Sequence, residues 1–343
     1  MRVAIYGAGA MGTVLGALLT KGGLSGVELI TRNYQHALGM KNGGAKISCV
    51  AENTEWVIPV NAVTPDQMQG KYDLVFLMTK QRENKAILQF LLPYLHDESI
   101  VCTTQNGLPE RVVAEIVGKD RTYGAVASFG ATFVGDGKVE LTSKFDGMRM
   151  QVGGFENDGK HTQKLLEILS FAGRGIQNPA FAQPVDNLAG ARWSKLCINS
   201  AFSGLSVVTG KSFGWISKNA RRVALETLRE CMKVANANGV TLQKAQGHDM
   251  QKLLGGTSFF RRVFAYLVLP FAMRKHKKLY SGMLKDIQKG KKCEIDYING
   301  VVCAIGKEVG VATPYNDKIV EIVHGIENGL YEITPKNLDF FNE

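Results

Sequence analysis

The chain begins with an apolar run and a glycine-rich turn that could bind the pyrophosphate of a dinucleotide. The turn is Gly7-Ala8-Gly9-Ala10-Met11-Gly12 and follows the apolar, β-branched start of the chain. Gly7 allows the tight turn, Gly9 lets the backbone approach a pyrophosphate, and Gly12 lets the next helix pack closely. The pyrophosphate would bind to the free N–H groups of a helix predicted over residues 11–19.

The residues after the second predicted strand, 27–31, bear on the choice of cofactor. In dinucleotide-binding folds an Asp or Glu at this point binds the ribose 2′-hydroxyl of NAD, whereas an arginine accommodates the 2′-phosphate of NADP. Residues 29–33 read LITRN, with Arg32 and no acid. Because a guanidinium matches a phosphate in charge and geometry, we predict NADP(H). The alternative is an arginine that only faces solvent.

Lys195 and Asn199 are four residues apart in a mostly apolar stretch, so they share one face of a predicted helix. By itself, a lysine in such a stretch more often extends its ammonium group to solvent than lies in a cleft. In a cleft, desolvation destabilises the ammonium form, which makes the lysine a better proton donor near neutral pH. The residues alone leave both alternatives open.

Three other polar residues stand where ligands commonly bind. Lys80 and Asn106 each follow a predicted buried strand, and ligands of open α/β sheets bind at the carboxyl ends of the strands. Glu294 stands at a predicted helix start, where it could equally be an ordinary capping acid.

The elements that position these residues fall into two groups. Strand and helix signals alternate up to about residue 182, which predicts a Rossmann-type α/β domain, 1–182, with a largely parallel sheet and helices on both faces. Helical periodicity dominates afterwards and predicts an all-helical domain, 183–343. The further predicted strands are 46–50, 55–60, 73–78, 99–104, 123–129, 138–141 and 148–152. The predicted helices are 83–92, 188–205, 219–237, 281–288, 297–309 and 315–328.

The composition is that of an ordinary globular protein, with 343 residues, 45% hydrophobic and 21% charged. The six cysteines are scattered without a CxxC pair, so we expect neither a disulfide framework nor a metal site, and a cytoplasmic protein. The first residues already resemble a core strand, so we expect no signal peptide. The longest uncharged apolar stretch, 263–273, is too short to span a bilayer.

The net charge of +10 is concentrated in residues 261–292, which hold ten Lys or Arg and one acid, Asp286. This segment could be a solvated helical face, or it could create a positive field for an anionic substrate and cofactor. Membrane contact through its aromatic residues is the least favoured alternative. Nucleic-acid motifs are absent, so we expect no nucleic-acid partner. The sequence leaves open whether the chain forms a homodimer.

Several blocks of the chain resemble the ketopantoate reductases (2-dehydropantoate 2-reductases), and the resemblance spans nearly the whole length. The blocks are GAGAMG at 7–12, Lys80, QNG at 105–107, RWSKLCIN at 192–199, MLKDI at 283–287 and EIDYING at 294–300. The resemblance implies a Rossmann domain followed by a helical domain, with the active site in the cleft between them. It also implies NADPH-dependent reduction of 2-dehydropantoate to pantoate, on the route to pantothenate and coenzyme A.

The same resemblance implies a role for each candidate residue. Lys195 would donate a proton to the substrate carbonyl oxygen, and Asn106 would bridge cofactor, substrate and Lys195. Asn199 would bind substrate. Glu294 would bond the cofactor and order the catalytic site. Lys80 and the backbone of Ala131 would contact the cofactor.

Two positions depart from the family pattern. The second substrate-binding Asn is replaced by Ser203, and the substrate-binding Ser before Met-Leu is replaced by Gly282, although Ser281 precedes it. Ser203 and Ser281 are therefore the candidate substitutes in the substrate site. Loss of an amide and a hydroxyl can relax discrimination by roughly 10⁴. Alternatives to ketopantoate reduction are accordingly the reduction of another 2-oxo acid, or an NADP(H)-binding regulator without turnover. The segment 251–278 is longer than usual and could reshape or cover the pocket.

Overall fold

The chain folds into two compact units. The computed structural model describes residues 1–244, 249–256 and 258–342. The first unit is formed by Met1–Gln105 and Pro109–Leu188, and the second by Asn106–Leu108 and Ala189–Glu343.

The first unit is built on a mostly parallel sheet. Its strands are β1 (Val3–Tyr6), β2 (Val27–Ile30), β3 (Ala45–Cys49), β4 (Thr54–Ile58), β5 (Asn61–Val63), β6 (Tyr72–Leu77), β7 (Leu95–Thr103), β8 (Thr122–Ala127), β9 (Ala131–Gly135), β10 (Lys138–Leu141), β11 (Met150–Gly154) and β12 (Ala182–Pro184). The order in the larger sheet is β12-β11-β8-β7-β6-β1-β2-β5. The part from β5 to β8 has the dinucleotide-binding strand order: β1, β2 and β5 extend the sheet to one side, and β6, β7 and β8 extend it to the other, so the order of the parallel strands reverses between β1 and β6.

Helices cover both faces of this sheet. They are α1 (Ala10–Lys21), α2 (Tyr34–Gly43), α3 (Asn84–Leu91), α4 (Glu110–Val117) and α5 (Thr162–Gly175). Val3 and Ile5 belong to the core cluster that includes residues of α1 and α5, whereas Ala4 and Tyr6 belong to the cluster that includes residues of α3 and α4. Because successive residues of β1 point to opposite, buried faces, a short run of apolar residues suffices to form it. The predicted fold class is confirmed.

One prediction about the sheet is wrong. The segments predicted as strands at 46–50, 55–60 and 138–141 do not join the larger sheet but form a separate one, in the order β4-β3-β10-β9. In β3 only alternate residues are buried, which is typical of a sheet with one covered face. Strand propensity identified these segments, but it carries no information about the strand with which each one pairs. Helices α2, α4 and α5 of this unit have no counterpart in the sequence analysis.

The second unit is helical, as the sequence predicts, and no strand occurs after Pro184 in the parts of the chain that the structure describes. Its helices are α6 (Leu188–Thr209), α7 (Phe213–Asn219), α8 (Arg221–Ala237), α9 (Met250–Leu254), α10 (Phe259–Ala272), α11 (Gly282–Gln288), α12 (Ile295–Glu308) and α13 (Pro314–Glu327). The long segment 251–278 contains most of α9, all of α10 and the residues that follow α10. Residue 257 of this segment lies outside the described residues. Within the described residues, no helix combines the length and apolarity needed to cross a bilayer.

Buried amides fix α6 against its neighbours. The Asn299 side chain, on α12, donates to the Ser200 carbonyl of α6 at 3.0 Å and to Asn316 Oδ1 at 3.0 Å. The side chain of Asn316, on α13, in turn donates to the carboxylate of Glu230, on α8, at 2.8 Å. Buried polar groups are costly unless they are paired, so this network specifies one alignment of the four helices. It therefore also fixes α12, which Glu294 precedes, against α6.

Candidate functional site

The glycine-rich turn has a geometry that only glycine allows at two of its positions. Gly7 has φ +102°, and a Cβ there would lie 2.6 Å from the backbone nitrogen of Thr79. A Cβ at Gly12 would lie 2.5 Å from the Gly7 carbonyl oxygen. A Cβ at Gly9, by contrast, would meet no atom within 4 Å, so the side of the turn at Gly9 is open.

This open side coincides with the start of α1. Gly9 is the N-terminal cap residue, and the first turn of the helix contains no acidic side chain. The first N–H groups of a helix have no partner within the helix, and the helix dipole favours an anion beside them. The residues present therefore fit the pyrophosphate of a dinucleotide, as the sequence predicts for this turn.

Gln105, to which the sequence analysis assigned no role, organises the loop that contains Lys80. Its side-chain amide forms a reciprocal pair with that of Asn84, at 2.7 and 3.0 Å. The same Nε2 donates to the Thr79 carbonyl at 2.7 Å. Since Thr79 is the residue against which Gly7 packs, this buried pair holds the loop after β6 beside the glycine turn. The clue in the sequence was the QNG block itself, in which only Asn106 received a function.

His36 connects the same turn to the smaller sheet and was also missed. Its Nδ1 accepts from the Gly137 N–H at 2.9 Å, and its Nε2 lies 2.9 Å from the hydroxyl of Thr13. That hydroxyl lies 3.3 Å from the Ala8 carbonyl, to which it donates. Burial lowers the pKa of His36, which keeps the ring neutral and able to accept from Gly137 at neutral pH.

Arg32 lies just beyond β2 and is 68% exposed, but it has an acidic partner. Its guanidinium is 2.6 Å from the carboxylate of Glu83, a residue that follows β6. Asn33 caps α2 by accepting from the His36 N–H, and the Thr31 hydroxyl accepts from the Asn33 N–H at 3.3 Å. A 2′-phosphate at this point would therefore compete with Glu83 for Arg32. The sequence could not reveal this pair, because the partners are 51 positions apart.

In the second unit, α6 displays the predicted residues along a narrow accessible stripe. From Gly190 to Thr209 every residue is buried except Lys195, Ile198, Asn199 and Ser203. Spacings of three and four residues place these positions on one face of the helix. The face that the sequence predicted to carry chemistry is thus the accessible face of an otherwise buried helix.

The ammonium group of Lys195 is strongly desolvated, although part of the residue remains accessible. Burial, reinforced by the positive charge of Arg192 one turn earlier, lowers the pKa of Lys195 to about 7. A lysine with this pKa exchanges its proton near neutral pH, as a general acid must. The cleft alternative of the sequence analysis therefore fits Lys195 better than extension of its side chain into solvent.

The remaining predicted residues occupy several environments. Glu294 is buried and directly precedes α12, as predicted, although its side chain does not cap that helix. Ser281 is buried and its hydroxyl accepts from the Met283 N–H at the start of α11, so it serves as a helix cap. Lys80 and Asn106 are exposed beyond β6 and β7, and Ala131 opens β9 in the smaller sheet.

Comparison with known proteins gives the family. The model of the family described as "Ketopantoate reductase PanE/ApbA" matches residues 3–156, and that of "Ketopantoate reductase PanE/ApbA C terminal" matches residues 187–327. The chain belongs to the ketopantoate reductase PanE/ApbA family. Its fold and enzymatic class follow: it is an oxidoreductase with a Rossmann-type domain and a helical domain.

Individual relatives are distant but match over nearly their full length. A 2-dehydropantoate 2-reductase from Lactococcus lactis is 28% identical, and the match covers 95% of this chain and 98% of the relative. The structure of a PanE/ApbA family ketopantoate reductase from Ralstonia eutropha is 25% identical with a TM-score of 0.79, and covers 96% of this chain and 99% of its own. A D-mandelate dehydrogenase in complex with NADH is also 25% identical, with a TM-score of 0.77 and coverage of 96% and 100%. The D-mandelate dehydrogenase structure contains NADH, and the relatives differ in the substrate that their names give.

Proposed function

We propose that this oxidoreductase reduces a 2-oxo acid, 2-dehydropantoate, to the 2-hydroxy acid pantoate with NADPH. The observation that supports this most directly is Lys195, an amine with a pKa of about 7 on the only accessible stripe of α6 between Gly190 and Thr209. Reduction of a ketone places negative charge on its oxygen and requires a proton there. A preorganised ammonium group meets both needs. The reaction is a step towards pantothenate and coenzyme A.

Each of the candidate residues has a proposed role in cofactor binding, substrate binding or proton transfer. The glycine turn and the start of α1 would hold the cofactor pyrophosphate, with Lys80, Asn106, Ala131 and Glu294 as further cofactor contacts. The bound cofactor supplies a hydride to the 2-oxo carbon. Lys195 gives its proton to the carbonyl oxygen, so that the carbonyl becomes a hydroxyl, and the neutral amine regains a proton from water. Asn199 and Asn106 orient the substrate, and Ser203 lies one further turn along the same stripe.

A panel of substrates tests the assignment. Steady-state kinetics with NADPH would compare 2-dehydropantoate with branched and aromatic 2-oxo acids. We expect the highest kcat/KM for 2-dehydropantoate. A value no better than those of the other acids would contradict the proposed substrate while leaving the proposed 2-oxo acid chemistry intact.

Reduction of a bulkier 2-oxo acid is the second candidate. Ser203 is shorter than the family's asparagine, and Gly282 lacks the hydroxyl of the family's serine. Both changes would leave more room in the proposed substrate site; Ser203 offers a hydroxyl in place of the amide, whereas Gly282 offers no polar side chain. The relative that is a D-mandelate dehydrogenase acts on a 2-hydroxy acid with an aromatic ring. A preference for aromatic acids in the same panel would support this candidate.

Arg32→Ala is expected to weaken NADPH binding by about tenfold to 100-fold, the value of a hydrogen bond to a charged group. NADH binding should hardly change, because NADH has no 2′-phosphate. Glu83→Gln is the matched variant, since it removes the carboxylate that pairs with Arg32 and should strengthen NADPH binding. Fluorescence titration with both cofactors measures these effects. Equal losses for the two cofactors in Arg32→Ala would refute the preference for NADPH.

A further inference from the structure

Helix α10 exposes an apolar face that the reductase chemistry does not use. Phe260, Phe264, Leu267 and Phe271 follow one another at spacings of four, three and four residues, so they form one stripe along the helix. Phe260 is 82% exposed and Phe271 76% exposed. The opposite side of α10, with Ala265 and Leu269, is buried in the core of the helical unit.

The helix is therefore apolar on two sides, although only one side is needed to hold it in the fold. Scattered exposed apolar residues are normal, but a continuous aromatic stripe of this kind marks an interaction site. Phe259 and Val263 extend the stripe sideways, and both are exposed.

Basic residues border this stripe at both ends. Arg261 and Arg262 lie at the start of α10, and Arg274, Lys275, Lys277 and Lys278 follow its end, all of them exposed. Residues 250–285 contain no Asp or Glu. Arg262 pairs with Glu226 of α8, and the same carboxylate also pairs with Arg229. The surroundings of the stripe thus carry a strong positive charge.

This charge argues against a second copy of the chain as the occupant. A parallel arrangement of two α10 helices would bring equal basic ends together, and an antiparallel arrangement would bring the arginines of one end against the lysines of the other. Both repel. An anionic surface, by contrast, is complementary to the two basic ends at once.

We infer that α10 is an interfacial helix that docks the enzyme onto anionic lipid bilayers. The aromatic stripe would enter the boundary between headgroups and acyl chains, and the lysines and arginines would contact the anionic headgroups. At 14 residues, α10 would lie along the surface of the bilayer. The sequence analysis rated membrane contact the least favoured alternative, and the exposure of the apolar stripe is the observation that favours it here.

Flotation of the full-length protein with vesicles tests the inference. We expect binding to vesicles of phosphatidylcholine mixed with phosphatidylglycerol, little binding to phosphatidylcholine alone, and release by added salt, because salt screens surface charge. Absence of binding to the anionic vesicles would overturn the inference.

Variants separate the contribution of the apolar stripe to vesicle binding from that of the basic residues. Phe260→Ser with Phe271→Ser should lower the vesicle partition coefficient about tenfold for each residue. Lys275→Gln with Lys278→Gln should lower it about fivefold for each charge. Val50→Ser and Leu330→Ser are matched controls, because Val50 is 78% and Leu330 75% exposed elsewhere on the molecule. Unchanged reductase activity in solution would show that the variants fold.

Two results would count against the bilayer as the occupant. One is equal partitioning of the α10 variants and the wild-type protein. The other combines two measurements: the wild-type protein does not bind anionic vesicles, and sedimentation without lipid shows a wild-type dimer that dissociates in the variant Phe260→Ser with Phe271→Ser. In that case the stripe is a contact between two copies.

Discussion

Replacing Lys195 by methionine should lower kcat about 10²- to 10⁴-fold, the range expected for removal of a general acid. Methionine keeps an unbranched apolar stem that ends at Cε, one atom short of the lysine ammonium group, and has no proton to give. Cofactor affinity should change little, because the expected loss is in the chemical step. Lys233→Met is a suitable control, since Lys233 is an exposed lysine on the neighbouring helix α8. Near-normal turnover in Lys195→Met would show that another group donates the proton.

The same residue predicts the direction of the pH profile. Only the ammonium form of Lys195 can donate, and its pKa lies near 7. In the wild-type enzyme kcat/KM should therefore fall as the pH rises above about 7, and should level off below it. In Lys195→Met this fall should disappear from the residual activity. A fall that persists unchanged in the variant would assign it to a different group.

Restoring the missing hydroxyl at position 282 is expected to have a large effect on activity. Gly282→Ser should raise kcat/KM for 2-dehydropantoate about tenfold to 100-fold, because a hydrogen bond to a charged group contributes about 1.5–3 kcal/mol. The position tolerates a side chain, since a Cβ at Gly282 would meet no atom within 4 Å. Ser281 is a poor substitute, because its hydroxyl is buried and caps α11.

The matched control for this experiment is Gly282→Ala, which adds the Cβ without the hydroxyl. It should fold at least as well as the wild type, because alanine favours a helix more than glycine does. Its kcat/KM should remain near the wild-type value. If Gly282→Ser and Gly282→Ala behave alike towards 2-dehydropantoate, the hydroxyl has no role there, and a different 2-oxo acid becomes the better assignment.

Local sequence was sufficient for features that depend on neighbouring residues. The glycines at 7, 9 and 12 predicted the turn, because a tight turn and a close approach of the backbone each require a residue without a side chain. The spacing of Lys195, Asn199 and Ser203 predicted a shared face, because it matches the helical period. These relations hold within a few residues of chain and need no knowledge of the rest.

Only the tertiary structure decided how those residues are surrounded. It showed that the face of Lys195 and Asn199 is the accessible one, and that burial brings the pKa of Lys195 to about 7. It also showed that Arg32 forms an ion pair with Glu83 and that Gln105 is hydrogen-bonded to Asn84. The strand predicted at 46–50 proved to belong to a separate sheet. The physical reason is that desolvation, ion pairs and hydrogen bonds depend on groups that are distant in sequence. A periodic pattern can therefore predict which side chains share a face of a helix or strand, but not which residues or solvent that face contacts.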